Sequence, residues 1–70
     1  MDEKTLLTTF LSNGISFSFI ATEMGVDVST LNKWFHNKKG LSEKNRKKLI
    51  EVLFSIALNL NSVVKQYETN

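Results

Sequence analysis

The chain has 70 residues, a length that provides one small hydrophobic core and leaves no room for a second. It contains no cysteine, which excludes a disulfide framework, a thiolate zinc site and a cysteine nucleophile. His36 is the one histidine and the seven carboxylates are dispersed, so we expect no metal site, no cofactor and no enzymatic activity. The net charge of +2 excludes little by itself.

The sequence pattern is not that of a membrane or exported protein. Its longest nearly uninterrupted apolar stretch, Val52 to Leu60, is far shorter than the ~20 residues that cross a bilayer. Asp2 and Glu3 stand where a signal peptide would carry positive charge. We therefore expect a cytoplasmic protein with no membrane partner.

Basic residues are concentrated in one segment. Seven of the nine lysines and arginines lie between Lys33 and Lys48, where Glu43 is the one acidic residue. Seven basic groups and one acid give this window a charge of +6, which leaves −4 for the rest of the chain. Such an asymmetry indicates a polyanionic partner that approaches from one side, although a solvated helix face explains it about as well.

Glycine and proline usage favours an all-α fold. Gly14, Gly25 and Gly40 each fall between segments of helical character, where a left-handed backbone or a tight turn favours glycine. The chain has no proline, so nothing breaks a helix interior. We predict a single domain over residues 1–70, folded as a compact bundle of four to five helices.

The first two helices are predicted from their caps and their apolar spacing. The first runs from Asp2 to Ser12, with Asp2 as its N-cap. Residues 15–19 alternate between apolar and polar side chains, which by period alone indicates a strand. Ser16 is nevertheless a good N-cap, and the apolar residues that follow share one helical face. The second helix is therefore predicted over Phe17 to Met24.

The third helix is predicted from about Val28 to His36, and the fourth begins with Ser42 as N-cap and reaches about Leu58. Asn59 and Asn61 weaken the helical pattern beyond that point. A last short helix is predicted over residues 63–68, so that residues 42–68 contain the C-terminal helices.

The second and third segments together have the spacing of two helices that cross closely. Ala21 is small enough for the third helix to pass over it, and Gly25 allows the sharp turn. Val26 fills the corner, while Leu31 and Trp34 anchor the third helix from beneath. The opposite face of that helix stays free, and a helix held in this way fits the major groove of DNA.

Residues 16–39 resemble the lambda-repressor-like helix-turn-helix family, which includes the phage Cro and cI repressors. The run from Gly25 to Trp34, G-V-D-V-S-T-L-N-K-W, is similar to the family pattern G-V-S-x-S-T-I-S-R-W. The resemblance implies a helix-turn-helix over about residues 17–36. It also implies a cytoplasmic, nucleoid-associated protein encoded by a bacterium or phage.

A second resemblance, to the headpiece of lac-repressor-type regulators, extends from Ile20 to Val64. The segment L-S-E-K-N-R-K-K-L, beginning at Leu41, is similar to that family's third helix, V-S-E-x-T-R-x-K-V, and N-S-V-V at Asn61 stands where those proteins have N-x-V-A. The chain departs from both patterns: Phe17 replaces a polar residue of the lambda-like pattern, and Leu60 replaces a proline of the headpiece. An N-terminal helix that headpieces lack favours a free-standing lambda-like domain, with no small-molecule effector evident.

The candidate DNA-binding residues follow from this arrangement. Asn32 is suited to a bidentate bond with an adenine edge and Lys33 to the acceptors of guanine. Val28 and Ser29 would meet bases or a thymine methyl group, and Thr30 a base or a phosphate. The remaining candidates would contact the DNA backbone: Ser16 and Phe17 where the second helix begins, then Asn37, Lys38, Lys39 and Lys44.

The fourth segment carries apolar residues around most of its circumference, which predicts a homodimer, and the alternative is a monomer with a generous core. We assign Leu49, Ile50, Leu53 and Ile56 to the domain's own core. Phe54, Leu58 and Val52 are then surplus, and a partner subunit would cover them. A two-fold dimer would place two reading helices roughly 34 Å apart and require a near-palindromic operator.

The function predicted from the sequence is a sequence-specific regulator of transcription that binds double-stranded DNA, of the phage or mobile-element repressor kind. The alternative is a protein-interaction module on a helix-turn-helix skeleton, in which Phe17, Phe19 and Phe35 form an apolar docking patch. Binding through several lysines should weaken steeply with salt, whereas an apolar interface should not.

Overall fold

A computed structural model describes residues 2–69, and these residues form four α-helices and no strand. Helix α1 spans Glu3–Ser12, α2 spans Phe17–Met24, α3 spans Val28–Phe35 and α4 spans Glu43–Thr69. The all-α prediction is confirmed. The predicted bounds of α2 are reproduced, and α3 ends one residue earlier than predicted.

Three helices begin at the N-caps that the sequence predicted. In each case a side-chain oxygen accepts a hydrogen bond from the backbone N–H three residues later, which satisfies one of the free donors of the first turn. The pairs are Asp2 with Thr5 at 2.8 Å, Ser16 with Phe19 at 3.0 Å and Ser42 with Asn45 at 3.2 Å.

The ends of α1, α2 and α3 share one closure, in which a residue in the left-handed region reverses the chain. Gly14 (φ 90°) and Gly25 (φ 76°) hold this position after α1 and α2. After α3 the residue is Asn37 (φ 62°), and the N–H of Lys38 bonds the Lys33 carbonyl at 2.8 Å. Gly40, expected to supply either a left-handed backbone or a tight turn, is not left-handed, because Asn37 three residues earlier already turns the chain.

The core is built from all four helices. Both α1 and α2 pack on α4, and α3 packs on α2. The buried side chains are Leu7, Ile20, Ala21, Met24, Leu31, Trp34, Leu49, Val52, Leu53 and Ile56. Val52 was predicted to be surplus and is instead buried, because it lies on the same face of α4 as Leu49 and Ile56. Ile50, assigned to the core, is half-buried.

Helix α4 differs most from the prediction, because it is continuous over 27 residues. The expected interruption at residues 59–62 does not occur, and no separate short helix covers residues 63–68. At 1.5 Å per residue such a helix is about 40 Å long, and the molecule measures 46 × 21 × 20 Å. Its radius of gyration of 13.3 Å exceeds the ~11 Å expected for a compact chain of this length. The shape is elongated.

An ion pair ties the start of α1 to α4. The Arg46 guanidinium donates to Glu3 Oε1, with its Nε at 2.9 Å. This hydrogen bond is the main reason why the pKa of Glu3 lies below its ordinary value. The pKa of Asp2 is also lowered, mainly because its carboxylate accepts the Thr5 N–H.

Candidate functional site

Helix α3 has a buried face and an opposite, exposed face. Leu31 is fully buried and Trp34 is 9% exposed, so these two side chains fix the helix to the rest of the bundle. Trp34 thus lies in the core, as the sequence analysis expected for a residue that anchors α3 from beneath. Because Leu31 and Trp34 are three residues apart, they lie on one side of the helix and leave the other side to solvent.

The exposed face of α3 carries the residues predicted to read bases. Asn32, Lys33, Ser29 and Val28 are all exposed, and Thr30 is half-buried beside them. Their side chains make no hydrogen bond or ion pair within the described residues 2–69. We call this set the α3 outer face. Its polar groups are available to a ligand without first breaking a bond inside the protein.

At the start of α2, one hydroxyl is already hydrogen-bonded within the protein and one aromatic ring is packed against α3. Ser16 is exposed, but its Oγ already accepts the Phe19 N–H. Phe17 is half-buried and packs edge-to-face on Phe35, with ring centroids 5.2 Å apart. Phe17 therefore links the start of α2 to the end of α3, a contact that the sequence did not reveal.

The segment after α3 forms a basic group together with a lysine from α1. Asn37, Lys38 and Lys39 line an open surface depression with Trp34, Gly40 and Lys4. The Lys4 ammonium lies 5.4 Å from the centroid of the Trp34 ring and donates to Asn37 Oδ1. Lys4 could not be predicted as a member of this group, because no local pattern brings a residue of the first helix beside a turn 33 residues later.

Two basic residues of α4 stand apart from this group. Lys44 is exposed and lies near Met24, on the side of α4 that faces the end of α2. Lys47 is within 3.7 Å of Glu43 one turn earlier. Together with the Arg46–Glu3 pair, this contact places a carboxylate beside two of the basic residues of the window.

The three phenylalanines of the alternative docking patch do not share one surface. Phe17 and Phe35 pack on each other, whereas Phe19 is 47% exposed and lies in a shallow depression beside Val52 and Ile56 of α4. Phe17 and Phe19 are two residues apart in α2 and so point to opposite sides of it. The patch predicted from the sequence is divided.

Comparison with known proteins identifies no relative. No protein-family model, no curated protein sequence and no solved structure matches this chain. The two family resemblances described above therefore stay predictions from the quoted motifs.

Proposed function

We propose that this protein is a sequence-specific DNA-binding regulator of transcription, acting as a small repressor of the phage or mobile-element kind. In this proposal α2, residues 25–27 and α3 are the helix-turn-helix, and α3 enters the major groove. Occupancy of an operator then excludes polymerase, and no catalytic step is involved. The α3 outer face carries the proposal, because it presents Asn32 and Lys33 unpaired on a helix anchored from beneath.

The chemistry of the outer face matches base edges. An asparagine amide carries a donor and an acceptor, which pair with the N6 and N7 positions of adenine, and a lysine reaches guanine O6 and N7. Val28 offers an apolar contact to a thymine methyl group. Ser29 and Thr30 add hydroxyls that bond bases or phosphates.

The surrounding residues supply contacts to the phosphates. Lys38 and Lys39 project next to the end of α3, and Lys4 brings a third ammonium into the same depression. Ser16 keeps a hydroxyl proton to donate, Asn37 is exposed, and Lys44 adds charge from α4. Phe17 acts through its contact with Phe35, which holds the start of α2 against α3. Phosphate contacts of this kind set position and salt dependence rather than sequence preference.

The test compares three lysine-to-alanine variants that change the charge equally. Lys33→Ala should weaken binding to the preferred site by about 1–3 kcal/mol and relax the preference at one base pair. Lys38→Ala should weaken binding to all DNA sequences alike. It should also reduce the slope of log affinity against log salt concentration by about 1. Lys65→Ala, on the far half of α4, is the matched control and should leave affinity nearly unchanged.

Selection from a random DNA pool supplies the site, and gel-shift titration at several salt concentrations supplies the affinities. The proposal is overturned if Lys33→Ala and Lys38→Ala both bind like the parent. It is also overturned if binding persists unchanged at high salt, the behaviour of the apolar interaction module.

A further inference from the structure

One face of α4 carries an apolar stripe that continues past the end of the bundle. The stripe alternates steps of four and three residues, the spacing that keeps side chains on one side of a helix. Its members are Leu49, Leu53, Ile56, Leu60, Val63 and Tyr67. The first three are buried against the other helices, whereas the last three are 55%, 62% and 83% exposed.

We call residues 57–69 the tail, and Leu60, Val63, Val64 and Tyr67 the tail stripe. All four side chains are more than half exposed, and they adjoin the core without a polar interruption on that face. Scattered apolar residues are normal on a protein surface, but a contiguous row of this kind marks an interaction site. Phe54 and Leu58 are also exposed but lie on the opposite side of α4, flanked by Glu51 and Lys65.

We propose that the tail stripe is the contact surface for a second copy of this chain, with the two tails packed antiparallel. Leu60 then lies opposite Tyr67 of the partner, and Val63 and Val64 pack across the two-fold axis. The proposal keeps the homodimer predicted from the sequence but changes its interface, because Phe54 and Leu58, expected to be covered by the partner, lie on the side of α4 opposite the tail stripe. It rests on the surface of α4 alone, so it can fail while DNA binding survives.

Steric hindrance selects the antiparallel arrangement. Helices α1 and α2 cover the same face of α4 over its first half. In a parallel pair the α1–α2 layers of both copies would meet at the same level and hold the two α4 helices apart. In an antiparallel pair the two α1–α2 layers lie at opposite ends of the dimer. The two tails then overlap between the bundles, where neither tail stripe is covered by its own α1 and α2.

Charge does not oppose the pairing. The tail contains one lysine, Lys65, and one glutamate, Glu68, and both lie off the stripe. Asn59 and Gln66 border the stripe on one side and Asn61 on the other, which gives an apolar centre with a polar rim. No like charges are brought together.

A lipid bilayer is the competing occupant. By length and composition Glu43–Glu68 qualifies as a membrane-crossing helix, although its longest nearly uninterrupted apolar stretch is far shorter than a bilayer requires. The first half of that helix is already committed to the core. The tail alone spans about 20 Å, less than the ~30 Å of a hydrocarbon core, and carries Asn59, Asn61, Lys65 and Glu68.

Sedimentation of the full chain without DNA tests the contact. The parent should form dimers, and Val63→Lys should weaken the dimer by on the order of 100-fold, because it buries like charges at the two-fold axis. Leu58→Lys is the matched control, being 67% exposed on the opposite face, and should sediment like the parent. Circular dichroism checks that both variants keep their helices.

Cysteine cross-linking tests the direction, since the chain has no cysteine of its own. A mixture of Leu60→Cys and Tyr67→Cys chains should form a mixed disulfide on oxidation, while Leu60→Cys alone should not cross-link. Self-linking of Leu60→Cys in preference to the mixed pair overturns the antiparallel arrangement. The proposal also fails if the parent stays monomeric at high concentration, if Leu58→Lys is the variant that dissociates the dimer, or if the monomer binds vesicles of anionic phospholipid through the tail.

Discussion

The two halves of α4 have the same apolar periodicity and opposite surroundings. From Leu49 to Ile56 the stripe is enclosed by α1 and α2, and from Leu60 to Tyr67 it faces solvent. The difference lies in the neighbours, because α2 follows α4 only as far as the depression that Phe19 and Asn59 share. An amphipathic pattern thus specifies which face of a helix needs cover, and the rest of the fold decides where that cover stops.

A proline substitution should have the largest effect of the changes considered, and the effect should differ most between the two halves of α4. Ser55→Pro removes a backbone hydrogen bond and adds a clash beside the core, at a cost of about 3 kcal/mol or more, which should unfold much of the bundle. Ser62→Pro makes the same change in the tail and should remove only tail helix, leaving a cooperative bundle. Circular dichroism with urea unfolding measures both effects. An equal loss of helix content and of stability in the two variants would mean that the tail unfolds together with the bundle.

Truncating one leucine in each half of α4 should show the same difference through smaller changes in the free energy of unfolding. Leu53 is 1% exposed, so Leu53→Ala should reduce the free energy of unfolding by about 2–5 kcal/mol. Leu60→Ala, at 55% exposure in the same helix, should change it by less than about 0.5 kcal/mol in the monomer. Urea titration of dilute protein gives both values, and a cost above 1 kcal/mol for Leu60→Ala would show that the tail stripe is already covered within one chain.

Acid should act weakly, through Asp2 and Glu3. Asp2 and Glu3 have folded-state pKa values below their ordinary 3.8 and 4.5, so their stabilising contribution is present above these values and is lost as the pH falls through the folded values. Removing one of the two groups with Glu3→Gln should therefore flatten the decline of stability below about pH 4.5. Thermal melts of the parent and of Glu3→Gln from pH 6 to 3 measure the difference. Identical profiles for parent and Glu3→Gln would contradict the role of the Arg46 pair.

Local signals predicted much of this fold. Asp2, Ser16 and Ser42 were found as caps because capping depends on a side chain and an N–H three residues away. The interruption at Asn59 and Asn61 was wrong, because each asparagine costs a helix interior at most about 0.7 kcal/mol. Continuing a formed helix avoids the larger cost of starting a new one.

Contacts between segments that are distant in the sequence could not be predicted from local patterns. The exposure of Asn32 and Lys33 followed from helical spacing, because Leu31 and Trp34 had to face the core. The approach of Lys4 to Asn37 joins α1 to the turn after α3, 33 residues later in the sequence, and nothing in the local pattern records it. The candidate site was therefore predicted along α3 and missed where α1 completes it.

Because α4 is continuous, the stability of this protein would depend on its own concentration. With no hinge between bundle and tail, any free energy gained by a partner on the tail stripe also favours the helix that organises the core. Linkage of this kind makes the melting temperature rise with total protein. Scarce copies would then unfold more readily than plentiful ones.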